Sequence, residues 1–144
     1  MKSSACIRAS AIAVAAVVIF FIAGCYRPSA MNESTPNVKH ITQDQFDAEV
    51  TRCTNAVVAD FYATWSGPCQ VTSPLLDRVA GGYADRIKFV KINVDESPGL
   101  AQNFKVDAPP LLIFFKDGKV TERIAGVPVE ADLKAKLDAL AAGK

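Results

Sequence analysis

The sequence predicts an α/β layering in the order βαβαβαββα, and three observations carry that prediction. Apolar runs short enough for strands (residues 56–63, 87–94 and 111–115) alternate with segments whose apolar residues recur at helical spacing. The pair Asp117-Gly118 stands between two strand-like runs as a hairpin turn. The stretch Asp60-Phe61-Tyr62-Ala63-Thr64-Trp65-Ser66-Gly67-Pro68-Cys69 passes from a buried strand through a short turn into a helix.

Residues 38–41 form the first strand candidate. Thr42 with Gln45 makes a capping-box pattern and predicts a helix carrying Phe46 and Val50 one turn apart, with Cys53 near its end. Residues 56–63 are apolar nearly throughout and suit a strand buried on both faces. Pro68 then falls at an early helical position, where a missing N–H costs little. Leu75, Leu76 and Val79 supply that helix with an apolar face, Pro74 is placed to kink it, and Gly81-Gly82 stop it. A strand over 87–94 carries Phe89, Val90, Ile92 and Val94, and Ser97-Pro98 cap a short helix reaching Phe104. Ala108-Pro109-Pro110 leads into the strand at 111–115, and the hairpin returns over 120–125. Residues 130–140 place Leu133, Leu137 and Leu140 at helical spacing, with Glu130 and Asp132 in the first turn and Lys134 and Lys136 later, as the helix dipole favours.

The amino terminus reads as an address. Lys2 and Arg8 precede an unbroken run of small and apolar residues from 11 to 24, a positive segment followed by a hydrophobic one of signal-peptide length. About 14 residues at 1.5 Å each reach about 21 Å, short of a hydrocarbon core of roughly 30 Å. The run ends in Ile22-Ala23-Gly24-Cys25, which resembles the lipobox of bacterial lipoproteins, where the cysteine is lipidated and becomes the first mature residue. Residues 1–24 are then a signal peptide, and 25–37 a lipidated cysteine with a polar, proline-containing tether spanning at most about 38 Å beyond Tyr26. Residues 38–144 form the domain. The expected location is the cell envelope, on the outer membrane facing the periplasm where there are two membranes, otherwise on the outer face of the cytoplasmic membrane.

Charge excludes other classes. Removing Lys2 and Arg8 from the 16 basic residues leaves 14 against 15 acidic, with no Lys/Arg run, so there is no electrostatic case for nucleic acid. The domain holds only Cys53 and Cys69 of the four cysteines, and the one histidine, His40, has no neighbouring cysteine. Neither a disulfide framework nor a metal site is expected, and no cofactor is implied. A Cys53–Cys69 bridge would need Cα atoms within about 7 Å, and the topology places these residues at opposite ends of the sheet. Cys53 is read as a buried free thiol and His40 as a surface residue.

From about Val38 onward the chain resembles thioredoxin. Trp65-Ser66-Gly67-Pro68-Cys69 is similar to the W-C-G-P-C motif of that family with its first cysteine replaced. Asp60 stands where the family has a buried aspartate and Lys91 where a lysine neighbours it. Pro74 fits the helix kink, Pro110 the cis-proline facing the active site, and Gly126 a late glycine beside the groove. The resemblance implies a central mixed five-stranded sheet with helices on both faces and the motif at the carboxyl end of a central strand. It also implies thiol-disulfide exchange, in which the first cysteine attacks a client disulfide. The second, deprotonated with help from the aspartate, resolves the intermediate. Protein or small-molecule thiols and disulfides are the implied partners, and the protein is expected to be a monomer.

Two departures bear on that chemistry. Ser66 occupies the position where a helix amino terminus would generate a thiolate, and a hydroxyl there neither ionises usefully nor forms a disulfide. Cys69, one turn inside the helix, reads either as a single reacting thiol with Asp60 as its base, or as a small packing residue beside a buried carboxylate held by Lys91. Pro109 is the second departure. In the family the residue before the cis-proline pairs with an extended client through its N–H and C=O, and proline has no N–H. The lost bond costs about 0.5–1.5 kcal/mol. Two readings follow. One is a membrane-tethered redox protein limited to monothiol exchange at Cys69. The other is a non-catalytic module binding a partner in the groove of Trp65, Gly67, Pro68, Pro109, Pro110 and Gly126, with Trp65 as its hydrophobic lip.

Overall fold

A computed structural model describes residues 35–143. Five strands, β1 (Val38–His40), β2 (Ala56–Tyr62), β3 (Ile87–Asn93), β4 (Leu111–Lys116) and β5 (Lys119–Ala125), form one mixed sheet in the order β1-β3-β2-β4-β5. β1, β3 and β2 run parallel, while β4 and β5 are antiparallel to their neighbours. Three helices complete the fold: α1 (Gly67–Ala80), α2 (Pro98–Asn103) and α3 (Glu130–Ala141).

Every residue of the central strand β2 is buried, because its two faces meet different layers. Ala56 and Val58 pack with Leu75, Leu76 and Val79 of α1 and with Leu133 and Leu137 of α3. Val57, Ala59 and Phe61 face the opposite layer of Phe46, Val50 and Leu100. The period-2 alternation of a strand sorts these side chains between two cores. On the first face the same alternation continues the column upward into Asp60 and Tyr62, so the apolar core ends in a polar layer below the start of α1.

One element departs from expectation. Instead of a regular α-helix after Thr42, a 3-10 turn (Gln43–Gln45) is followed by a π-helical turn (Asp47–Thr51). The local signal is present, since the Gln45 side chain accepts a bond from the Thr42 N–H at 3.2 Å. Tertiary packing overrides its continuation: Phe46 stacks against Phe104 and Phe115, and Val50 is fully buried. The hairpin turn follows its sequence, Asp117 and Gly118 both having positive φ (50° and 72°).

Candidate active site

β2 delivers its carboxyl end to the turn Ala63-Thr64-Trp65, and Ser66 then takes the N-cap of α1 with extended backbone (φ −84°, ψ 114°). A serine at this position ordinarily accepts a bond from a backbone N–H of the first turn. Here it makes none. Its hydroxyl turns across the groove and donates to the carbonyl of Pro109 at 3.0 Å. Gly67 and Pro68 follow as exposed residues, and Cys69 points inward with no exposed surface.

Burial pushes the Cys69 thiol up, with the Asp60 charge adding to the shift; hydrogen bonds from the Ser66 side chain and the Ala63 backbone pull the other way and lose. The Ser66 hydroxyl has one proton to give. The Pro109 carbonyl and the Cys69 sulfur therefore compete for it.

Asp60 lies at 1 % exposure, directly opposite Lys91 in the β2–β3 register. Burial raises its carboxyl to about 7 against the pull of the Lys91 ammonium, with Asp77 adding a little. Its Oδ1 has no hydrogen-bond partner among the described residues. Lys91 is itself 5 % exposed and is also in register with His40 of β1. Asp60, Lys91 and His40 therefore form one row across three strands.

His40 was expected at the surface, and the structure corrects that. It is half-buried, its ring meeting Tyr62 edge-on with centroids 6.2 Å apart and its Nε2 3.7 Å from a Glu96 carboxylate oxygen. Burial raises the Tyr62 phenol, and the charges of Glu96, Asp60 and Cys69 add to the rise. Sequence reading missed Tyr62 and Glu96 as neighbours of the site. The available signal was parity: Tyr62 is two residues from Asp60 and must share its face.

On the far side of the groove the Pro109–Pro110 peptide is cis, with Pro110 buried and Pro109 half-buried. Gly126, at φ +79°, donates its N–H to the Pro110 carbonyl at 2.9 Å and so ties β5 to this loop. Trp65 is 67 % exposed and its indole N–H donates to Asp95 at 3.0 Å, a partner the sequence did not reveal. Between Trp65 and α2 lies a groove of about 440 Å³ lined by Val94, Ala101, Val106 and Pro109 among others.

Cys53 and Cys69 are both free. Cys53 was expected to be buried and is half-buried instead. Cys25 lies outside the described residues. Among the described residues no three His, Cys, Asp or Glu side chains are grouped to hold a metal ion. The site thus offers one sulfur, one buried carboxyl and a hydroxyl where a second sulfur would complete a dithiol.

A five-stranded mixed sheet with a thiol-bearing turn at the carboxyl end of its central strand, facing a cis-proline loop, defines a class of thiol-handling α/β proteins. The family model for thioredoxin matches residues 37–139, and the chain belongs to the thioredoxin family. It is 35% identical over 101 residues to a thioredoxin of Acidithiobacillus ferridurans, covering 70% of this chain and 94% of that protein. A thioredoxin of Mycolicibacterium smegmatis is 38% identical over 113 residues, covering 76% of this chain and 100% of its own length. Thioredoxin 1 of Synechococcus elongatus is 36% identical over 98 residues, at 68% and 92% coverage. The domain and these relatives support a thiol-disulfide redox role.

Proposed function

We propose that this protein is a lipid-anchored member of the family in the cell envelope that carries out monothiol disulfide exchange through Cys69, with Asp60 as its base. The observation that carries the reading is the orphaned carboxyl oxygen of Asp60. A carboxyl kept dry with one oxygen unbonded costs stability. Near neutral pH such a group can take the proton of a neighbouring thiol, which a purely structural carboxylate has no need to do.

In the step that follows, Cys69 Sγ gives its proton to Asp60 and attacks one sulfur of a disulfide. A Cys69–sulfur bond forms and the other sulfur leaves as a thiolate. An outside thiolate then attacks the partner sulfur of that mixed disulfide, forming a new disulfide, and Cys69 leaves and recovers its proton. Ser66 cannot perform the second attack, so the resolving thiol comes from solution. Lipidation at Cys25, the tether to residue 37 and an envelope location are supported by the charged, apolar and Ile22-Ala23-Gly24-Cys25 pattern of the leader.

The test is deglutathionylation of a glutathionylated peptide in excess glutathione by the full chain, read against Cys69→Ala. Turnover that vanishes with Cys69 is the expected result. Turnover equal to the variant would sink the reading and leave the groove around Trp65 as a binding surface.

A further inference from the structure

The two residues of the loop facing Ser66 are both prolines, so neither has an N–H to donate. Both of their carbonyls are engaged: Pro109 O by the Ser66 hydroxyl at 3.0 Å and Pro110 O by the Gly126 N–H at 2.9 Å. An extended peptide main chain approaching this edge finds no donor, and its own N–H must reach Pro109 O beside a hydroxyl that already crosses the groove. Pairing of backbone with backbone, the usual way an extended peptide is held, is left with no donor and a contested acceptor here. What stays open is side-chain surface: the exposed Trp65 ring and the groove of about 440 Å³ beside it.

We propose that Ser66 is a specificity-determining residue, whose hydroxyl competes with an incoming main chain for the Pro109 carbonyl and so biases Cys69 toward exchange with low-molecular-weight disulfides over extended polypeptide ones. The substrate preference rests on the monothiol reading above; the competition for the carbonyl does not. The hydroxyl is not spent on capping: it leaves the first turn of α1 without a side-chain bond and turns to Pro109 instead. The chemistry is the same thiol-disulfide exchange, with R–S–S–R as substrate, Cys69–S–S–R as intermediate and R–S⁻ as leaving group.

The test compares the full chain with Ser66→Ala and Ser66→Gly. Each is treated with 2-hydroxyethyl disulfide and with an eight-residue extended peptide carrying one 2-mercaptoethanol mixed disulfide at its centre. Mass spectrometry locates and times adducts on Cys69. A buried thiol favours the smaller reagent in any case, so the diagnostic is the ratio of the two rates, which also cancels any change in thiol acidity. Opening one carbonyl should lower the ratio about fivefold in both variants, the equivalent of one hydrogen bond of roughly 1 kcal/mol. An unchanged ratio overturns the proposal.

Absence of adducts on Cys69 in all three proteins would instead be a failure of the monothiol reading. The decision on Ser66 then passes to binding. The emission of Trp65, the sole tryptophan, is titrated with a cysteine-free version of the peptide. Severalfold tighter binding by the variants sustains the competition for the carbonyl, and equal affinity overturns it.

Discussion

Asp60 and Lys91 stand directly opposite each other across the parallel β2–β3 pair, a carboxyl and an ammonium sharing one nearly dry layer of the sheet. The ammonium does not restore an ordinary carboxylate, because desolvation outweighs it and holds Asp60 near neutrality.

That balance makes stability pH-dependent with a definite sign. With a folded value of about 7 against an ordinary 3.8, the folded state holds more protons than the unfolded state between those values. The stability tied to this group is complete below about pH 4 and is lost as pH rises through about 7. At about 1.4 kcal/mol per pH unit the loss is on the order of 4 kcal/mol. Asp60→Asn should flatten the difference in unfolding free energy between pH 4 and pH 8.5, measured by urea titration. A wild-type protein with no such fall would contradict the assignment.

Ser66→Cys should supply the missing sulfur at the helix amino terminus, where a thiol acidifies. The variant is expected to reduce insulin disulfides with dithiothreitol as the electron source, while the wild type stays at the rate of the reductant alone. Failure of the variant to gain activity, with both sulfurs titratable, would show that the groove rather than the nucleophile limits the reaction.

Two glycines with positive φ should respond unequally to alanine. At Gly118 (φ +72°) a Cβ would lie 2.1 Å from the Thr51 carbonyl oxygen, so backbone must move. At Gly126 (φ +79°) a Cβ would meet nothing within 4 Å, leaving only the conformational cost. Gly126→Ala is expected to cost about 1–2 kcal/mol and Gly118→Ala clearly more, both read from chemical denaturation. Equal losses would mean the hairpin relaxes freely away from residue 51.

Cys25→Ser should release the chain from the membrane fraction and abolish its partition into a detergent phase, without changing the folded domain. A variant that still sediments with membranes would argue against lipid attachment at this residue.

Local chemistry made much of the fold readable. The Asp117-Gly118 turn demands positive φ and announces it in two letters, and the apolar run of β2 leaves a doubly covered strand as its natural reading. The capping pattern at Thr42 was equally clear and still misled, because Phe46 and Val50 answer to Phe104 and Phe115 more than to helix propensity. His40 misled for a similar reason: a lone polar residue on a short strand reads as surface until Tyr62 and Glu96 arrive from other elements. The contact between Ser66 and Pro109 joins residues 43 apart in the chain, and no local rule could show that a proline carbonyl had found a serine.

The described chain begins at Thr35, whose hydroxyl donates to Asp77 near the end of α1. β1 runs parallel to β2, so this root and Cys69 occupy opposite poles of the domain. With Cys25 lipidated, the ten residues to Thr35 reach at most about 36 Å, and a strand of seven residues adds about 23 Å. The sulfur can then search a half-shell of roughly 60 Å radius, in which one molecule amounts to a concentration of about a few millimolar. On the proposed anchor, a thiol confined in this way would meet disulfides on the same membrane patch far more often than its cellular abundance would provide.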